Sequence, residues 1–277
     1  MKKFISIFLL SALLTANSGF AIYLLSFKEN PLSKAIDDGK TEEALNFIKN
    51  EPLLISKKER HVTPLMAAAY KGNWTVLKAL LAAGASARDK DEDSYTALSY
   101  YLDGNSSQEN VEISELLISL TRDLNEGAKK KNSTPIWFAA KKGFCKTIQL
   151  LAAAGAKIDL KGNEQQTPLT CAISKKRDDA ALLLISLGAN LNTRDVLSMT
   201  PLMYAAYNNR GRVISILLRA GADRNLVTTE PITVTFKENW YDQSGEQKTI
   251  PKGSTALDIA TVLDQKYARY HLMKESR

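Results

Sequence analysis

His61 and His271, with Cys145 and Cys171, are the whole imidazole and thiol chemistry of this 277-residue chain. A general base needs a positioned partner, and neither histidine lies near a cysteine in sequence. His61 falls two residues before Thr63, where the chain turns, and reads as a solvated turn residue. No Gly-x-Ser-x-Gly, phosphate loop or dinucleotide fingerprint is present. Two histidines and two cysteines offer little to a zinc site. The paired carboxylates Asp178-Asp179 and Glu42-Glu43 fall at expected helix starts, where negative charge suits the dipole. No catalytic residues, cofactor or metal are therefore expected, and the chain reads as a non-enzyme. A Cys145–Cys171 disulfide would need Cα atoms within about 7 Å. Both cysteines read as small packing residues, with pairing left open.

With chemistry set aside, binding remains. Apolar residues make up 44% and charged residues 24%, ordinary globular values that exclude wholesale disorder, collagen and coiled coil. Lysine and arginine number 37 against 30 acids, a net charge of +7. That is too weak a bias to argue for nucleic acid.

The first residues carry an address. Lys2 and Lys3 precede an apolar run, Phe4 to Leu14, and small residues follow at Ala16, Ser18, Gly19 and Ala21. This is the pattern of a secretory signal peptide over residues 1–21, with Gly19-Phe20-Ala21 as the cleavage site. An alternative keeps residues 4–27 as an uncleaved membrane anchor, since about 20 apolar residues span a bilayer. Either way the positive end stays in the cytoplasm and the body lies outside, in the periplasm if the envelope has two membranes.

The elements that position everything else are repeats. Thr-Pro-Leu at 63–65 returns at Thr134, Thr167 and Thr200, with looser copies at Thr96 and Thr255. The threonines are spaced 33, 38, 33, 33 and 55 residues apart, and Gly155, Gly188 and Gly221 also recur every 33. In each unit the threonine caps a short helix, with proline at its first position in the four close copies. A glycine or polar break follows, then a second, longer helix such as the one through Val76, Leu77, Leu80 and Leu81. No such unit can bury its apolar face alone, so the stack is the folding unit.

These motifs resemble ankyrin repeats. The family's Thr-Pro-Leu-His-x-Ala motif is met except at His, replaced by Met66, Ser99, Trp137, Thr170, Met203 and Asp258. The resemblance implies that this His joins an inter-repeat hydrogen-bond network, so a looser array is expected. It also implies an all-α solenoid that binds another protein. Residues 30–277 divide into an N-terminal cap and about six units, starting near 31, 60, 93, 131, 164, 197 and 252. Residues 231–251 interrupt the last unit and alternate as a β-hairpin, with Trp240 and Tyr241 close to its tip.

Two columns of the repeat point to a partner-binding surface. The second residue after the motif leucine holds Tyr100, Phe138 and Tyr204, and the preceding column holds Trp137 and Met203. Tyrosine, tryptophan and methionine are enriched at interfaces. Together with Trp240 and Tyr241 these are the expected contacts. Basic residues also recur, with Lys142 and Lys175 aligned and Lys141, Lys176 and Arg177 beside them. The resemblance to exported bacterial ankyrin-repeat proteins implies an immunity protein that binds and neutralises an envelope toxin, such as a type VI secretion phospholipase. The alternative is a periplasmic accessory role in oxidative-stress defence. Neither nucleic acid nor, beyond the N-terminal segment, a membrane is expected as partner.

Overall fold

The computed structural model describes residues 30–104, 108–127, 132–236 and 246–274. The expected signal or anchor segment lies outside them, as do Trp240 and Tyr241. Among the described residues there are fourteen α-helices and one two-stranded sheet, and the chain divides into two compact units, Met1–Ser86 and Ala87–Arg277.

In the first unit, α1 (Pro31–Asp37) pairs with α2 (Thr41–Asn50), and α3 (Pro64–Lys71) with α4 (Trp74–Ala82). Asn30 opens it. Its side chain accepts from the Leu32 amide at 3.1 Å and donates to the Lys57 carbonyl at 2.8 Å, tying the first cap to the loop that leaves α2.

The second unit holds five further pairs: α5 (Ala97–Asp103) with α6 (Val111–Leu120), α7 (Pro135–Lys142) with α8 (Cys145–Ala153), α9 (Pro168–Ser174) with α10 (Asp178–Ser186), α11 (Pro201–Tyr207) with α12 (Gly211–Arg219), and α13 (Ala256–Val262) with α14 (Lys266–Lys274). First helices pack on first helices and second on second. Small residues allow this. Ala139, Ala140, Ala205 and Ala206 are fully buried, so successive first helices approach without a large side chain between them. The apolar stripe of each second helix, such as Ile148 and Leu151 or Val213, Ile214 and Leu217, closes the core behind.

The capping chemistry follows the sequence. The hydroxyls of Thr63, Thr96, Thr167, Thr200 and Thr255 each accept from the amide three residues on. Such a cap contributes about 1 kcal/mol. Thr134 differs, for its hydroxyl makes no cap bond and is buried without a partner. Residues at the motif-histidine position mostly serve these caps. Met66 and Met203 sulfurs accept from the Thr63 and Thr200 amides, and Asp258 accepts from the amide and hydroxyl of Thr255.

Ties between repeats come from elsewhere. Asn125, Asp159 and Asn192 accept from the backbone amides of Lys157, Asn190 and Asp223, at 2.7, 3.0 and 2.9 Å. The acceptor sits at one repeat position and its donor in the next repeat. Asp178 and Arg210 form a bidentate pair across adjacent repeats, with contacts of 2.7–3.0 Å. A buried hydroxyl chain adds to this: Tyr101 meets Ser114 at 3.0 Å and Ser114 meets Thr147 of the next repeat at 2.7 Å.

The hairpin consists of β1 (Ile232–Phe236) and β2 (Glu246–Ile250), antiparallel, with Ile232 opposite Ile250. A lone hairpin is marginal in water. This one is anchored at its base: Ile250 is fully buried and β2 packs against α13. Thr228 clamps the chain on both sides, donating from its amide to Ser254 at 3.0 Å and accepting from Gly253 at 2.9 Å.

Candidate partner-binding surface

The loops that lead into the first helices carry the most regular polar geometry of the second unit. In the loop 91–95 the Asp91 carboxylate accepts from the amides of Asp93 and Tyr95 at 2.9 and 2.8 Å. The Tyr100 hydroxyl donates to its other oxygen at 2.7 Å. The loop 195–199 repeats this atom for atom. Asp195 accepts from Leu197 and Met199 amides, both at 2.9 Å, and from the Tyr204 hydroxyl at 2.6 Å. Ser94 and Ser198 take the same left-handed turn, at φ 64° and 59°. Burial, and next the aspartate beside each hydroxyl, hold both tyrosines above their ordinary pKa. Gln166 also donates to the Tyr204 oxygen at 3.0 Å and pulls the other way.

The expected contact tyrosines are thus half-buried loop locks. Tyr100 further stacks on Tyr95, ring centroids 5.5 Å apart, and Tyr95 covers Phe138 at 5.8 Å.

The loop 162–166 keeps the backbone turn and loses the lock. Gly162 donates to the Gln166 carbonyl at 2.8 Å, but it stands where the other loops have aspartate, and Cys171 stands where they have tyrosine. Trp137 fills the space. A Cβ on Gly162 would lie 2.7 Å from the Trp137 ring, and the indole N–H donates to the Gln166 carbonyl at 3.1 Å.

Three expected contact residues are therefore corrected. Trp137 and Met203 are 4% and 1% exposed, and Phe138 is fully buried. They pack between repeats because each ring or thioether is covered by the adjoining loop or cap, leaving no face for a partner. Trp240 and Tyr241 lie outside the described residues.

The side chains that do reach solvent were not singled out from the sequence. Val196 and Leu197, at the tip of the loop 195–199, are 60% and 48% exposed, and Val227 in the next loop is 37% exposed. Their backbone is fixed. Lys161 donates to the Arg194 carbonyl at 2.8 Å, and Arg194 donates to the Val227 carbonyl at 2.6 Å. The same repeat position thus reaches the next loop twice in succession. Three loops become one rigid edge with an apolar tip, continuing through Thr228 into the hairpin. The legible signal was two adjacent apolar residues inside an otherwise polar turn.

The remaining candidates for chemistry stay structural. Cys145 and Cys171 are free thiols, and burial pushes Cys171 up to about 12. A thiol so protonated is a poor nucleophile. His271 meets the Ser215 hydroxyl at 2.7 Å through Nδ1 and packs over Gly211, fixing the last helix to α12. Asp178-Asp179 and Glu42-Glu43 sit in the first turns of α10 and α2.

Among solved structures the chain is similar to the crystal structure of the human ASB11 ankyrin repeat domain. The TM-score is 0.64 at 22% identity, over 88% of this chain and 97% of that one, a likeness that shows the fold alone. No curated protein matches the sequence. Two families match: ankyrin repeats (many copies) over residues 49–100, and ankyrin repeats (3 copies) over residues 105–195 and 160–229. These stretches take in more than half of the sequence, and their helix pairs have the repeat geometry described above; the chain belongs to the ankyrin-repeat family.

Proposed function

We propose that this is an exported ankyrin-repeat protein that binds and masks another protein, a toxin effector acting in the bacterial envelope. The observation that carries the binding surface is the apolar tip of the 195–199 loop. Val196 and Leu197 stand in solvent on a loop whose backbone is held by Asp195, Tyr204 and Gln166. Exposed apolar residues on a rigid frame lose little entropy on binding, which favours a contact role. The export reading rests on Lys2, Lys3 and the run from Phe4 to Leu14. The masking reading rests on the lack of any catalytic motif and on the idiosyncratic hairpin. The hairpin's base is clamped at Thr228, and the contacts expected from the sequence at Trp240 and Tyr241 are kept as part of this proposal.

Capture by the full chain should recover a toxin effector from the periplasm, and Val196→Asp with Leu197→Asp should abolish it without changing the melt. Retention by that variant would remove the loop tip from the interface. Replacing residues 235–247 with a short Gly-Ser turn, which leaves the buried Ile250 in place, should keep the helical melt and lose the complex. Alkaline phosphatase fused after Arg277 should be active in an export host, and an inactive fusion would overturn the address.

A further inference from the structure

In the second unit each second helix packs on the next, up to α14, the last described helix. The junction of α12 with α14 shows how a helix is received. Asn209, between α11 and α12, accepts from the Ala268 amide in the first turn of α14 at 2.9 Å. Gly211 and Ser215 of α12 then face it. A Cβ on Gly211 would collide with the His271 ring, and the Ser215 hydroxyl meets His271 Nδ1 at 2.7 Å. The same three positions recur 55 residues on as Asp264, Lys266 and Tyr270. Asp264 keeps the left-handed backbone of Asn209, at φ 53° against 57°.

On α14 these positions face solvent. Tyr267, Tyr270 and Met273 are 70%, 58% and 55% exposed, while Ala268 and Leu272 on the opposite side are buried. With Lys266 and Lys274 the three share about a third of the helix circumference. A terminal repeat ordinarily turns a polar outer face to water. This one turns two tyrosines and a methionine, residue types enriched at interfaces. We propose that this face of α14 is a docking site for a helix of a partner protein, one whose apolar stripe is bordered by acidic residues.

That the occupant is a helix follows from continuity: the positions by which α12 receives α14 are repeated on α14 itself. Its acidic border follows from charge. Lys266, Arg269 and Lys274 are cationic and α14 holds no acid. The acids beside it in the same repeat are engaged. Asp258 accepts from the Thr255 amide and hydroxyl at 2.8 and 2.7 Å, and Asp264 from Arg269 at 2.9 Å. The helix behind, α12, adds Arg212 and Arg219 and no acid, and Arg212 faces Asp179 at 3.9 Å. Lys274 lies over the Tyr270 ring, 5.8 Å from its centroid. Lys266 and Lys274 are exposed and form no ion pair among the described residues. A second copy of α14 is a poor occupant, because antiparallel pairing about Tyr270 sets Lys266 against Lys274. The face shares no residue with the 195–199 tip, so it stands or falls independently of that contact.

The test uses the full chain and a fluorescein-labelled designed helical peptide, leucine along one stripe and glutamate on both flanks, read by anisotropy. Saturable binding is expected. Tyr270→Ser with Met273→Ser should raise Kd about tenfold, as loss of aromatic anchors does. Lys266→Glu with Lys274→Glu should raise it about tenfold as well, because like charges then meet across the contact. Lys266→Arg with Lys274→Arg should leave it unchanged, and so should Val196→Asp with Leu197→Asp. Equal loss in that last variant would move the peptide to the loop tip and overturn the site. So would equal binding of a lysine-flanked version of the peptide, absence of peptide binding, or binding to phosphatidylglycerol vesicles without binding to the peptide. All substituted residues are exposed, and a circular-dichroism melt checks that each variant folds.

Discussion

The loops 91–95 and 195–199 share one skeleton and differ at their tips. In each, an aspartate accepts from the amides two and four residues on and from a tyrosine nine residues on. Between them the tips diverge: Glu92 and Asp93 in one, Val196 and Leu197 in the other. The frame is the same turn, so the tip residues are free to vary without disturbing it. One loop presents acid to solvent and the other presents apolar surface. The tyrosines expected as contacts from their position belong to the frame, and the two residues that this frame holds out are the exposed ones.

The largest expected effect comes from removing the frame's acceptor in the loop whose aspartate is more buried. Asp195 is 8% exposed, so Asp195→Ala leaves two amides and a hydroxyl unpaired and should cost about 3 kcal/mol in urea unfolding. Asp91→Ala, at the more solvated loop, should cost about 2 kcal/mol, because water replaces part of what is lost. Equal costs would erase the distinction between the loops.

Next comes the loop that has no lock. Gly162→Ala drives a methyl to 2.7 Å from the Trp137 ring and should destabilise by about 2 kcal/mol. If Gly162→Ala is neutral, Trp137 does not replace the aspartate–tyrosine pair there.

Tyr204→Phe and Tyr100→Phe remove only the hydroxyls, and each should lower stability by about 1 kcal/mol. Tyr204 should show the larger loss, having a second partner in Gln166. Partner affinity should not follow, since the hydroxyls face inward.

Alkaline pH tests the same locks without mutation. The fold holds both tyrosines above their ordinary value of 10.0, and Cys171 above its ordinary 9.0, at about 12. A group raised in the folded state binds its proton more tightly there than in the unfolded chain, so its stabilisation is complete at low pH and is lost as pH rises. The melting temperature should therefore hold up to about pH 9 and then fall. Cys171→Ala should remove the part of the decline that begins near pH 9, and Tyr204→Phe part of the decline above 10. A flat profile in the parent protein would contradict the burial of all three groups.

The smallest stability effect belongs to the tips themselves. Exchanging Glu92-Asp93 with Val196-Leu197 should change stability by no more than about 0.5 kcal/mol, as solvent-facing substitutions do. Binding of the partner should be lost from the original loop.

Much of this was legible before any coordinates. Thr-Pro-Leu at 33-residue spacing placed the helix pairs, because threonine caps and proline starts are local rules that need no neighbour. The alternation from Ile232 to Phe236 placed the hairpin. The site was read less well. Phe138 and Tyr204 occupy one repeat column, yet Phe138 is core and Tyr204 is a half-buried lock. The difference lies nine residues upstream, where Tyr204 has Asp195. Tyr100 and Asp91 show the same spacing, so the pairing was present in the sequence as a recurrence.

What the sequence determined by itself was the repeat: unit length, caps, glycine breaks and the inserted hairpin, each set by short-range backbone preferences. What the tertiary structure decided was which side of each unit is outside. Trp137 is covered because Gly162 lets its ring close over the next loop, and Ile250 is covered because α13 lies under the hairpin base. Val196 and Leu197 remain uncovered because Asp195 turns the chain tightly enough to hold them clear of the stack. Burial is a property of neighbours about 33 residues away, and side-chain type alone does not encode which of them will arrive.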